Sequence, residues 1–155
     1  MQLSKGFDYA VRSLVHLGRL PEGATAELRV ISASQKVPLS YLAKVMRNLV
    51  RAGLVTSTLG RDGGYRLRLP PGEITLMMVY EAMEGRMRLV ACMDGAKDCA
   101  FLTKCAQAAV WTRLRKAVED IFVETTLRDL VADSPHLGGS DPVSSKEGHY
   151  ARAGA

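Results

Sequence analysis

Cysteine and histidine are scarce in this chain, three of each among 155 residues. The histidines, His16, His136 and His149, lie far apart. No nucleophile–base–orienter set and no metal-hydrolase motif can be read, which argues against an enzyme. Long apolar runs are also missing; none approaches the ~18 residues of a membrane span. The segment Met1 to Gly6 lacks the apolar core of a signal peptide, so a cytoplasmic location with no membrane partner is expected. Gly63 and Gly64 are followed by no Lys-Ser/Thr pair and no helix start, which excludes a phosphate-binding loop.

Acid is sparse in the N-terminal half. Residues 1–72 carry 11 Lys and Arg against 4 Asp and Glu, whereas residues 73–155 carry 10 against 12. The positive field belongs to the first half, as in a nucleic-acid-binding module joined to a neutral regulatory or oligomerising part. An apolar content of 47% supports a folded chain, either one domain or one small domain with a helical appendage.

Leu3 to Leu20 reads as a first helix, capped by Ser4, with Phe7, Val11, Leu14 and Leu17 on one face. Asp8 lies off that stripe, one turn from Arg12, the arrangement of an exposed ion pair. Ala24 to Lys36 reads as a shorter helix with Leu28, Ile31 and Ala33 inward, interrupted at Val37-Pro38. A third helix runs from Leu39 to Ala52 and closes at Gly53. Leu42, Val45, Met46 and Leu49 take its core spacing, leaving Ser40, Tyr41, Lys44, Arg47, Asn48 and Arg51 on the other face.

A tight turn followed by a helix with long donors and no acid on its outer face describes a helix-turn-helix. Lys44 and Arg47 suit phosphates or guanine edges, Asn48 an adenine, and Ser40 and Tyr41 phosphates near the helix start. A merely solvated face would mix signs. The segments 55–59 and 65–69 alternate in period two about the glycine-rich stretch 60–64, which predicts a β-hairpin. A hairpin in this place is a wing, and Arg61 at its tip suits a narrow minor groove.

Thr75 caps a further helix through Glu84, with Leu76, Val79 and Met83 inward and Gly85 as its stop. Ala106 to Thr125 predicts the longest helix, with Val110, Leu114, Ala117, Val118, Ile121 and Phe122 in one stripe. No later element can cover that stripe, so a homodimer is expected, which matches paired half-sites on double-stranded DNA. Residues 126–131 form a short terminal helix, and the composition from Ser134 onward predicts disorder. The expected fold is mainly α with a small β-hairpin wing. It comprises a winged helix-turn-helix over residues 1–72, a cysteine loop and dimerisation helix over 73–131, and a disordered tail over 132–155.

Cys92, Cys99 and Cys105 fall within fourteen residues, separated by six and five. A reducing cytosol and an odd count disfavour structural disulfides. Structural zinc prefers tighter Cys pairs, and no histidine follows to complete a set. Soft thiolates suit an iron-sulfur cluster; a plain thiol redox switch is also open at this point.

Several stretches resemble the winged-helix iron-sulfur regulators that include the IscR and NsrR branches. They are Met1-Gln2-Leu3 with Phe7-Asp8-Tyr9-Ala10-Val11-Arg12, Tyr41-Leu42-Ala43-Lys44, Arg51-Ala52-Gly53-Leu54-Val55 and Gly60-Arg61-Asp62-Gly63-Gly64-Tyr65-Arg66-Leu67. Glu73-Ile74-Thr75-Leu76, the three cysteines and Thr126-Leu127-Arg128-Asp129-Leu130 complete the set, which spans roughly residues 1–131. The resemblance implies Cys92, Cys99 and Cys105 as cluster thiolates. The IscR branch has a histidine three residues after its last cysteine, where this chain has Ala108. The NsrR branch, which senses nitric oxide, takes a first-helix aspartate from the partner subunit, and Asp8 stands at that position. The resemblance therefore favours the NsrR branch and a [4Fe-4S] over a [2Fe-2S] cluster.

The resulting expectation is a dimeric DNA-binding repressor whose promoter affinity is set by a cluster sensing nitric oxide, redox state or iron. One alternative is a winged-helix regulator with a cluster-free thiol switch. Another is an iron-sulfur carrier or electron-transfer protein, which leaves the basic helix face without a purpose.

Overall fold

The computed structural model describes residues 3–60, 63–87 and 105–133. Helix α1 spans Lys5–Gly18. Its cap is Ser4, whose Oγ accepts a hydrogen bond from the Phe7 amide at 3.1 Å and itself donates to the Glu84 carboxylate. Phe7, Ala10, Leu14 and Leu17 are buried on one face. Ser13 is buried with them, and its hydroxyl is satisfied by the Tyr9 carbonyl at 2.7 Å, so it carries no unpaired-polar penalty.

Helix α2 covers Leu28–Gln35 and starts later than its sequence pattern suggests. Long-range pairing is the reason. The amide of Ala26 donates to the Tyr65 carbonyl and the amide of Tyr65 to the Ala26 carbonyl, both at 2.9 Å, so this backbone is committed to the wing. Ile31 is buried, Leu28 is half-buried, and Ala33 lies exposed rather than inward. Helix α3 covers Leu39–Arg51 and is followed by Gly53 at φ +75, a left-handed conformation that glycine adopts without strain.

The wing pairs β1 (Val55–Thr58) and β2 (Gly64–Leu67) antiparallel, with Val55 opposite Leu67 and Thr58 opposite Gly64. A Cβ on Gly64 would stand 2.7 Å from the Ala26 carbonyl oxygen. Glycine here is what allows residue 26 to lie against the hairpin. The tip residue Arg61 falls outside the described residues.

A 3-10 turn at Pro71–Glu73 leads to α4, Leu76–Glu84, with the expected Thr75 cap and Gly85 stop. Val79 and Tyr80 are its buried residues. Helix α5 spans Ala108–Glu124 and α6 spans Leu127–Asp133. The chain leaving α5 is stitched to the start of α4. The Leu76 amide donates to the Thr125 carbonyl at 3.0 Å and the Leu127 amide to the Ile74 carbonyl at 2.7 Å.

Leu14, Ile31, Leu42, Met46 and Leu49 are fully enclosed where α1, α2 and α3 meet. Each such side chain contributes roughly 1.5–3 kcal/mol of burial. Phe122 fastens α5 to this body. Its ring stacks on Phe7 at 5.7 Å and meets Tyr80 edge-on at 5.8 Å, and Phe7 meets Tyr80 at 5.8 Å. Phe122 is the buried residue of α5. Val110, Leu114 and Ile121, from the expected apolar stripe, are 57%, 45% and 58% exposed in the single chain. Among the described residues, no helix is long and apolar enough to cross a membrane.

Candidate functional site

The packing of α3 decides what it presents. Leu42, Val45, Met46 and Leu49 all face inward with no exposed surface, so the helix cannot rotate without opening the core. Ser40, Tyr41, Lys44, Arg47 and Arg51 are consequently exposed, with Asn48 half-buried beside them. Among the described residues no carboxylate pairs with Lys44, Arg47 or Arg51. Three cations on one helix face with no acid partner among the described residues are the electrostatic footprint of a polyanion contact. The wing adds Arg66 and Arg68, both exposed; the Arg66 Nε donates to the Thr56 hydroxyl at 3.4 Å.

Asp8 sits in the first turn of α1. Arg12 grips its carboxylate through Nη2 and Nε, at 2.8 and 3.1 Å. The pair is about half exposed on each side, 49% for Arg12 and 48% for Asp8, so its net worth is small and the carboxylate is accessible. The Arg12 guanidinium also lies over the Tyr9 ring, 6.0 Å from its centroid. Tyr9 in turn meets Tyr41 of α3 edge-to-face at 5.3 Å and 88°. Nothing in the spacing of the sequence signals this contact, because Tyr9 and Tyr41 belong to separate helices.

Cys105 is a free, half-buried thiol. Its carbonyl accepts from the Ala108 amide at 3.2 Å, which joins it directly to the start of α5. Cys92 and Cys99 lie outside the described residues. Among the described residues no three His, Cys, Asp or Glu side chains stand together as a metal site. His16 plays a different part, between α1 and α2. Its Nδ1 is 3.1 Å from the Ser34 hydroxyl, its Nε2 is buried without a partner, and burial, assisted by Arg19, holds its pKa below the ordinary value.

The fold is shared with known transcriptional regulators. The chain is 33% identical over 155 residues to protein aau3 of Rhizobium meliloti, covering 92% of this chain and 96% of that one. It is 31% identical over 134 residues to the HTH-type transcriptional regulator IscR of Aliivibrio salmonicida, covering 86% and 79%. It superposes on the structure of CymR, the global cysteine regulator of B. subtilis, with a TM-score of 0.72 at 25% identity, over 87% and 99% of the two chains. Residues 3–133 match the family model described as Rrf2, iron-dependent transcriptional regulator. The chain therefore belongs to the Rrf2 family, and it is a winged-helix, DNA-binding transcriptional regulator rather than an enzyme.

Proposed function

We propose that the chain is a cytoplasmic, homodimeric repressor of the NsrR kind. Its grip on promoter DNA is set by an iron-sulfur cluster that responds to nitric oxide, redox state or iron. The observation that carries the reading is the cationic face of α3 beside the wing, which has no acid partner among the described residues, in a chain whose three thiols all precede one helix with an exposed apolar stripe. Ser40, Tyr41, Lys44, Arg47, Asn48, Arg51 and the wing-tip Arg61 are the residues assigned to DNA. The dimer rests on Val110, Leu114 and Ile121, whose exposure in one chain gives a second copy an apolar surface to cover.

The two described donors suit a cluster. Cys105 is free and half-buried, and the Asp8 carboxylate is accessible, held by one exposed arginine. Cys92, Cys99 and Cys105, with Asp8 from the partner subunit, would hold it, [4Fe-4S] in preference to [2Fe-2S]. If bound there, a cluster would supply reactive iron, and a carboxylate donor would hold it less firmly than thiolate, because a hard oxygen is a weaker match. The protein's own part is mechanical. Cys105 opens directly into α5, and α5 sets the separation of the two α3 helices in the dimer, so a change at the thiols alters DNA affinity.

The test is the ultraviolet-visible spectrum of anaerobically purified protein, with iron and sulfide assays, before and after a nitric oxide donor. Sulfide-to-iron absorption that bleaches together with loss of promoter binding is expected. A colourless protein after anaerobic reconstitution that still binds DNA tightly would instead establish a cluster-free thiol switch.

A further inference from the structure

We infer that the cleft between the turn after α1 and the base of the wing is a binding site for a small organic anion, with Arg66 and Arg68 receiving its charged end and the apolar walls its body. The site is separate from the proposed cluster and does not depend on it.

The cleft holds about 720 Å³, inside the ~300–1,000 Å³ of small-molecule sites. Leu17 and Leu20 line it from the end of α1, and Leu67 and Leu69 from the hairpin and its exit. Both walls are fixed before a ligand arrives. The Ala24 amide donates to the Pro21 carbonyl at 3.0 Å and closes a tight turn through Gly23 at φ +78. The paired bonds between Ala26 and Tyr65, at 2.9 Å, then tie the chain leaving that turn to β2. A preformed site loses little affinity to ordering.

Arg66 and Arg68 stand two residues apart in extended chain, where alternate side chains share a face about 7 Å apart. The extended pairing continues past β2, because the Arg68 amide donates to the Leu54 carbonyl at 3.0 Å. Both arginines line the cleft, and neither has a carboxylate partner among the described residues. The Arg66 Nε donates to the Thr56 hydroxyl, also in the lining, at 3.4 Å, and its other guanidinium donors remain for a ligand. Two like charges so near repel each other, and an anion held by both guanidinium forks removes the repulsion. Glu22 is the acid of the lining. Two arginines against one glutamate leave a single positive charge in excess, which suits one anionic head on a body without a second.

No residue of α3 lines the cleft, which sets it apart from the face assigned to DNA. Arg68 nonetheless reaches the end of that helix, since a Cβ on Gly53 would lie 3.4 Å from its Nη1. An anion in the cleft therefore sits where α3 gives way to the wing.

The test is calorimetric titration of anaerobically purified full-length protein with phenyl phosphate and with phenylacetate, beside inorganic phosphate as a head without a body. Saturable binding of at least one aromatic probe is expected, phenyl phosphate for a phosphate-ester site and phenylacetate for a carboxylate site. Arg66→Gln combined with Arg68→Gln should weaken that binding at least about 10-fold, the factor for losing a hydrogen bond to a charged group. Its melting temperature should match wild type, because both side chains are exposed. No saturable binding of either aromatic probe, or an affinity unchanged in the double variant, would overturn the inference. Inorganic phosphate binding as tightly as the aromatic probes would also overturn it, by showing a charged surface whose walls take no part. The same double variant separates this site from a DNA contact, through the salt dependence of its affinity for a duplex enriched from a random-sequence library. The slope should stay as in wild type; a slope lowered by about 2 would make both arginines phosphate contacts and remove the site.

Discussion

Phe122→Ala should be among the most damaging single changes in α5, and its neighbour Ile121→Ala should behave in a different way. Phe122 is 8% exposed and contacts both Phe7 and Tyr80 with ring separations of 5.7 and 5.8 Å. Truncating a buried phenylalanine costs about 3–5 kcal/mol through lost burial and the cavity left behind. In a chain of this size 1 kcal/mol corresponds to roughly 2–4 °C, so the melting temperature should fall by about 6–20 °C. The loss should not depend on protein concentration, because every partner of the ring lies in the same chain. Ile121 is 58% exposed in the single chain and should be close to neutral in a monomer. If a second copy covers it, the melting temperature of Ile121→Ala should fall relative to wild type, and dissociation should occur at higher protein concentration. Circular dichroism melts at two concentrations a hundredfold apart, with sedimentation velocity, separate the two effects. A fall of less than about 2 °C for Phe122→Ala, at most about 1 kcal/mol on that scale, would refute the claim that the aromatic trio holds α5.

Three further outcomes follow from the same structure. Gly64→Ala forces its new Cβ to within 2.7 Å of the Ala26 carbonyl oxygen; breaking this backbone pairing should cost about 2–4 kcal/mol, visible as an earlier urea midpoint with an unchanged slope. His16, held below the ordinary value of 6.5 by burial and then by Arg19, stays neutral in the folded chain after it has begun to protonate in the unfolded one. Stability should therefore be full above pH 6.5 and fall as the pH drops toward the folded value, and urea titrations of His16→Phe should lack this decline. Lys44→Ala and Arg47→Ala should each weaken binding across unrelated duplexes and lower the salt slope by about 1 if they contact phosphate; an unchanged slope for both would remove α3 from the interface.

Elements bounded by local chemistry were legible in the sequence. Ser4, Thr75 and Gly85 mark helix ends because a hydroxyl cap or a left-handed stop needs only its immediate neighbours, and the structure uses all three. The inward residues of α3 were legible for the same reason, since their spacing follows from the helical repeat. The start of α2 was not. Ala24 to Glu27 reads as helix locally, but its backbone pairs with Tyr65, and no window of sequence contains both. Tyr80 was overlooked beside the methionines of α4, because periodicity identifies a face but not which rings meet across it. Of the candidate site, the cationic face was legible as composition on one helix. The Tyr9–Tyr41 contact required the angle between two helices, which propensity does not specify.

The single buried anchor of α5 also makes that helix a lever. From Phe122 back to Ala108, the first residue of the helix, is 14 positions, about 21 Å at helical rise. The fulcrum is the ring seated between Phe7 and Tyr80, with Val118 packed one turn before it, and the arm beyond leads back to the turn that holds Cys105. A displacement of about 2 Å at Ala108 therefore corresponds to a tilt of only about 5° at the fulcrum, on this same helical geometry. Such a tilt is small enough for the aromatic seat to survive, so the arm can swing while its hinge stays packed.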